Sequence, residues 1–331
     1  MVEFTFFCPF YDESQWKLSP QNAANNVNGL RTVARTNVYT LDRHGGLLAV
    51  HEALVRKVVG ELKDFDNVIY EICNEPYFGG VMLDWQHHIA DVIANEERGL
   101  QHQHLITQNI ANGKAKIEKP HPAVSVFNFH YAQPPDAVGM NYQLNKVIGD
   151  NETGFRGTND LPYRVEAWQF ILAGGGLFNN LDYSFVAGQE DGTFVYPSTQ
   201  PGGGNPSFRR QLKVLGDFMV GFDFVKMKPA DTGWELVSAD PAMSVRVLAE
   251  PGRSYALYVG PKDPRKALKE APRSRKATLA LELPAGTYRS EWVNPLTGVV
   301  EQRETHRHQG GRLVLASPAF AEDIALRLER R

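Results

Sequence analysis

The sequence predicts an α/β chain in which parallel strands alternate with helices, followed by a smaller all-β sandwich. Three observations carry this. Up to about residue 228, apolar β-branched runs of strand length alternate with segments whose apolar residues recur at helical spacing. From Trp234 onward the helical period vanishes, and short strands follow one another between turn residues. The chain has 331 residues, long for one domain and suited to two, at 1–228 and 233–331.

Composition narrows the class of partner. Hydrophobic residues make up 42% and aromatics 11%, enough to bury a sizeable core, and no apolar run reaches membrane-spanning length. A net charge of −3 without a Lys/Arg stripe gives no support for a nucleic-acid partner, and no membrane partner is expected. Cys8 and Cys73 lie in apolar strand-like runs and are expected to be buried free thiols, which leaves the redox compartment open. No metal or other cofactor is expected. No His/Cys/Asp set has ligand spacing, and His87-His88 sits in a helix pattern without a third member.

Taken in order, the first strand begins at once in Met1 to Tyr11, without the charged and apolar regions of a signal peptide, so localisation is left unknown. A long loop, Asp12 to about His51, is rich in Asn, Pro and Gly. Its Trp16, with Phe10 and Tyr11 before it, either lines a ligand site or anchors the loop. Glu52–Asp64 reads as an amphipathic helix, with Leu54, Val55, Val58, Val59 and Leu62 on one face, and Leu83–Glu96 repeats the pattern. Strands follow at Asn67–Asn74, His104–Asn109, Val124–Tyr131 and Lys146–Gly154. A helix with proline in its first turn spans Pro162–Ala173. Leu177–Phe185 reads as the last strand, and a closing helix at Phe208–Phe222 points Leu212, Leu215 and Phe218 at the barrel. The run Pro201–Gly204 lacks the strand-to-helix setting of a nucleotide site and reads as a flexible rim.

Two strand ends carry chemistry. The run Val68 to Tyr77 ends in Asn74-Glu75-Pro76, where proline stops the ladder. Simple alternation puts Glu71 and Glu75 on one face and Asn74 on the other, so Asn74 joins Glu75 only if the strand twists or ends there. Three strands later, Asp150-Asn151-Glu152-Thr153-Gly154 closes a short apolar run. Carboxylates on non-adjacent strands of a closed βα barrel can face each other across its mouth. Glycoside cleavage needs that geometry, with one acid to protonate the leaving oxygen and one carboxylate to attack the anomeric carbon. Glu71 and Asp150 are read as structural acids.

These motifs resemble the acid/base and nucleophile strand ends of the clan A retaining glycoside hydrolases, which are (β/α)8 TIM barrels. Together with Phe6-Phe-Cys-Pro-Phe-Tyr11 and the strand-rich C-terminal region, they look like a cellulase-like branch of that clan. Its members carry a small β-sandwich that some label a collagen-binding domain. The resemblance implies Glu75 as acid/base and Glu152 as nucleophile, acting on a carbohydrate substrate. It also implies that Asn74 contacts the sugar 2-hydroxyl and that His130 and Tyr131 hold the nucleophile. The tryptophan that usually floors the sugar subsite is absent, and Tyr183 or Phe185 of Asp182–Phe185 would replace it as a stacking face. Counting units from Met1 gives six strands where the clan has eight. The expectation is therefore a barrel lacking its first two βα units, on the order of 60 residues, in an N-terminally truncated chain. An open barrel keeps a second class of function in view, a non-catalytic carbohydrate-binding or interaction protein. A third, metal-dependent hydrolysis through Asp150, Glu152 and His130, has less behind it.

In the C-terminal region strands are expected at Ser244–Glu250, Ser254–Gly260, Lys276–Leu283, Thr287–Val293, Arg312–Ala316 and Asp323–Leu328, in about 100 residues of sandwich. The Lys/Arg-bearing insert 261–275 reads as a solvated hairpin loop. Trp292, mid-strand before a turn, reads as core rather than as a sugar platform.

Overall fold

In the computed structural model, residues 1–41, 47–197, 203–269 and 273–331 are described. They form two compact units, Met1–His130 with Gln143–Gly149, and Tyr131–Tyr142 with Asp150–Arg331.

The first unit contains β1 (Val2–Phe7), α1 (Glu13–Leu18), α2 (Leu47–Leu62), β2 (Val68–Cys73), α3 (Leu83–Glu96), β3 (Ile106–Asn112) and β4 (Val124–His130). Its strands pair in parallel and in chain order, with Val2 opposite Val68 and Tyr70 opposite Ile106. All of β2 is buried, as a parallel strand covered on both faces should be. The sheet is curled. Glu3 on β1 accepts hydrogen bonds from Thr107 on β3 at 2.8 Å and from Asn128 on β4 at 2.7 Å, so side chains three strands apart meet on the concave face. Glu71 accepts from Thr5 Oγ1 at 2.8 Å, which stabilises an otherwise costly buried acid.

The region read as one long loop is more structured than expected. Asp12 caps α1 by accepting from the amides of Ser14 and Gln15, and α2 starts at Leu47 instead of Glu52. The buried stripe of α2 is Leu47, His51, Val55 and Val59, with Leu54 exposed. Parts of this loop (42–46), of the glycine run (201 and 202) and of the polar insert (270–272) lie outside the described residues.

The second unit continues with α4 (Asp136–Asn141), the last half of β5 (Val147–Glu152), α5 (Leu161–Leu172), β6 (Leu177–Phe178) and α6 (Pro206–Val220). Then come β7 (Lys228–Pro229), β8 (Trp234–Ser238), β9 (Met243–Glu250), β10 (Ser254–Pro261), α7 (Pro264–Ala267), β11 (Thr278–Leu283), β12 (Gly286–Val293), β13 (Val300–His308), β14 (Gly311–Ala316) and β15 (Ile324–Arg330). Strands β1 to β6 are neighbours in sequence order in one six-stranded sheet, and β5 gives its first half to one unit and its second half to the other. The expected strand Leu177–Phe185 stops at Phe178. Beyond it, Asn179 N donates to Asp150 O and Leu181 N to Thr153 O, so the chain stays beside β5 until Asp182 turns it by accepting from Ser184.

The sandwich has a six-stranded sheet ordered β13-β12-β15-β10-β9-β7 and a three-stranded sheet ordered β14-β11-β8. Leu257, Leu279, Leu281, Trp292, Leu326 and Leu328 are among the buried residues filling the core between them, which bears out Trp292 as a core residue. The outer face of the larger sheet is also covered. Trp168 of α5 stacks on Tyr258 of β10 at 5.3 Å, and Leu215 and Phe218 of α6 join Leu248, Ala256 and Ala325 in a second cluster. Leu215 and Phe218 thus pack against both α5, where Phe218 meets Trp168 at 5.0 Å, and the larger C-terminal sheet. The change of texture at 228–233 is a change of secondary structure more than of packing, because β7 already pairs with β9. Buried Arg164 of α5 fixes the same contact through Asp323 at 2.9 Å, and Tyr258 donates to that carboxylate at 2.7 Å.

Candidate active site

The first carboxylate stands where β2 ends. The strand stops at Cys73 and Glu75 takes a left-handed φ of +39°, which breaks the alternation and lets Asn74 and Glu75 share a neighbour. A left-handed backbone at a residue with a side chain costs on the order of 1–3 kcal/mol and persists where its surroundings enforce it. Here the following turn does so. A Cβ on Gly79 would meet Pro9 Cβ at 2.9 Å and Phe10 O at 3.0 Å, so the turn lies tightly on the segment after β1. That contact brings Tyr11 over Glu75.

Tyr11 Oη donates to Glu75 Oε2 at 2.5 Å, and Asn74 Nδ2 donates to Tyr11 Oη at 3.3 Å. On the other carboxyl oxygen, Tyr77 Oη lies 3.3 Å and His130 Nδ1 3.4 Å from Oε1. Tyr77 also donates to Asn112 Oδ1 in a short bond. Burial, and next the hydrogen bond to Glu75, pushes the Tyr11 phenol well above its usual range, so it stays a donor at any working pH. Tyr11, Tyr77 and Phe78 form an aromatic group beside the acid, with ring centroids 5.0–5.7 Å apart along the chain of contacts, and each is partly exposed. Flat faces of this kind suit the C–H surface of a sugar.

The second carboxylate stands where β5 ends. Tyr131 donates to Glu152 Oε1 in a short hydrogen bond, and Tyr131 N donates to Glu152 O at 2.9 Å. Tyr131 is itself left-handed, at φ +55°, as is Phe155 at +59°. These two rings meet edge to face at 5.7 Å, with Phe155 exposed. Behind Glu152, Asp150 is fully buried, and burial, reinforced by the nearby Glu166 carboxylate, pushes its carboxyl up. Burial also pushes Glu166 up to about 7, against the pull of Arg156, whose guanidinium lies 2.9 Å away. Asp150 and Glu166 are both buried.

Tyr131 bonds Glu152, and His130 Nδ1 lies 3.4 Å from Glu75 Oε1. Tyr183 is half-buried, 6.2 Å from the ring of Tyr196. Its phenol is pushed up by burial and then by the charge of Glu152, which sets it in that carboxylate's neighbourhood. Trp16 is 6% exposed and packs on Phe10 at 4.9 Å, which favours the anchoring alternative. Phe185 packs under the Arg209 guanidinium at 4.7 Å. Cys8 is exposed, contrary to expectation, because the strand has ended at Phe7, while Cys73 is buried.

Sequence reasoning missed Tyr77, Phe78, Asn112 and Phe155. Tyr77 and Phe78 follow the acid motif directly and were findable as aromatics beside it. Asn112 depends on an irregularity in the β3–β4 register between Asn109 and Ala111, which no local pattern signals.

No family model matches the sequence, and no curated protein matches it. Among solved structures, the fold is similar to a glycoside hydrolase at 13% identity and a TM-score of 0.59, covering 86% of this chain and 69% of that one. It is also similar to a glycoside hydrolase family 5 protein from Bacteroides vulgatus at 14% identity and a TM-score of 0.58, covering 84% of this chain and 66% of that one. The chain thus spans about two thirds of the length of these structures. At such identities the likeness is one of fold, and the fold is that of glycoside hydrolases with a curled parallel sheet and accompanying β sheets.

Proposed function

We propose that the protein is a retaining glycoside hydrolase that cleaves O-glycosidic bonds of an oligo- or polysaccharide by double displacement. The observation that carries this reading is that two glutamates end two strands of one sheet, each gripped by a tyrosine hydroxyl beside exposed aromatic rings. Glu75 serves as the acid and gives its proton to the glycosidic oxygen as the C–O bond breaks. Glu152, ionised and oriented by Tyr131, attacks the anomeric carbon and forms a glycosyl ester. Glu75, now a carboxylate, takes a proton from water, whose oxygen displaces Glu152 and restores both groups. The reading requires the two carboxyls to serve one bond, with oxygens about 5–5.5 Å apart. Asn74 is the candidate contact to the sugar 2-hydroxyl, and Tyr183 a candidate stacking face.

Turnover of aryl glycosides separates the roles. Glu152→Gln should abolish it. Glu75→Ala should lose roughly 10²–10⁴-fold on substrates with poor leaving groups, the usual share of general acid catalysis, and be partly rescued by substrates with good leaving groups, whose turnover azide should raise by replacing the base-assisted water. Unaltered activity in either variant removes the scheme. A folded wild type that binds sugar without turnover would instead favour a binding protein.

A further inference from the structure

Resting on the assignment of Glu75 as the acid, we propose that Tyr11 and Tyr77 act as positioning residues that fix which oxygen of Glu75 carries the transferable proton. The direction of each hydrogen bond follows from its neighbours. Asn74 Nδ2 can only donate, so its contact at 3.3 Å occupies a lone pair of Tyr11 Oη, and the phenolic proton is left for Glu75 Oε2 at 2.5 Å. Oε2 thereby takes the acceptor role, which the carbonyl oxygen of a carboxylic acid fills better than its hydroxyl oxygen. On the opposite side Tyr77 gives its proton to Asn112 Oδ1 in the shorter of these two bonds, and Tyr77 Oη at 3.3 Å and His130 Nδ1 at 3.4 Å face Glu75 Oε1. Oε1 is thus the oxygen with a place for a hydrogen. The two tyrosines come from different elements, Tyr11 from the segment after β1 and Tyr77 from the turn after β2. The left-handed turn at Glu75 sets the carboxyl between them.

The arrangement makes transfer directional. Oε1–H gives its proton to the leaving oxygen, Oε2 keeps the Tyr11 donor throughout, and the resulting anion is stabilised by a bond already in place. In this step the Glu75 O–H and the glycosidic C–O bonds break while the leaving-group O–H bond and the Glu152 glycosyl ester bond form. The Tyr11 phenol does not titrate in the working range, so the relay holds its direction at every relevant pH.

The test is Tyr11→Phe, read with phenyl and 2,4-dinitrophenyl β-glycosides of gluco, xylo, manno and galacto configuration. Tyr11 is 40% exposed, so loss of its hydroxyl leaves packing intact. The phenyl substrate, which needs the acid, should lose on the order of 10-fold in kcat/KM, whereas the dinitrophenyl substrate, which does not, should change by less than about 2-fold. Equal loss on both substrates, or none, overturns the proposal. A second readout needs no turnover. The infrared carboxyl bands assigned to Glu75 by difference with Glu75→Gln should shift in Tyr11→Phe, and bands that stay put also overturn it. A wild type inactive on every substrate whose Glu75 bands still shift counts against the hydrolase reading and not against the hydrogen bond.

Discussion

The two carboxylate-bearing strand ends are held in different ways. Glu75 sits among Tyr11, Tyr77 and His130, drawn from three segments of chain, and its own backbone is left-handed. Glu152 keeps an ordinary strand backbone, and the left-handed residue is its partner Tyr131, which holds it through both phenol and amide. A group that must gain and lose a proton in each cycle is served by neighbours that can both donate and accept. The proposed division of roles between two chemically identical side chains rests on this contrast in their surroundings.

The sharpest way to break this contrast is the pair Glu152→Gln and Glu75→Ala, where only the second should respond to azide. Rescue of both, or of neither, would erase the difference in role. A smaller effect is expected at Tyr131→Phe. A hydrogen bond to a charged group contributes about 1.5–3 kcal/mol, so kcat should fall by roughly 10- to 150-fold on phenyl and dinitrophenyl glycosides alike, because the nucleophile serves both. Selective loss on the phenyl substrate would move Tyr131 to the acid side. The smallest effect concerns the pocket behind Glu152. Glu166 is raised from 4.5 to about 7 by burial, so its contribution to stability is complete below the unfolded value and is lost as pH rises through 7. The melting temperature should therefore decline between about pH 4.5 and 7, and Glu166→Gln should flatten that decline. A slope unchanged in the variant would assign the titration elsewhere.

Much of this architecture was legible in the sequence, for physical reasons that vary by element. Buried β2 and β10 announce themselves as apolar runs, and α3 spans the residues its helical period marks out. Strand β13, Val300–His308, gave no signal. It is a charged, largely exposed edge strand, and charge on an edge is a device against unwanted pairing and resembles loop composition. The amphipathic pattern of α6 shows which face is apolar but not which layer receives it, so its burial on the sandwich was hidden. Both glutamates were legible because acids at the ends of apolar strands are conspicuous. Their support was less so. Asn74 and Glu75 share Tyr11 only because the strand ends one residue before Asn74, and Asn112 reaches Tyr77 only through an irregular register.

The most direct measurement of the central claim is proton NMR of the first sugar released from an aryl glycoside, taken before mutarotation scrambles it. Double displacement through Glu152 and Glu75 predicts an anomeric configuration identical to that of the substrate. Release of the opposite anomer would mean that water attacks directly, with no glycosyl ester on Glu152.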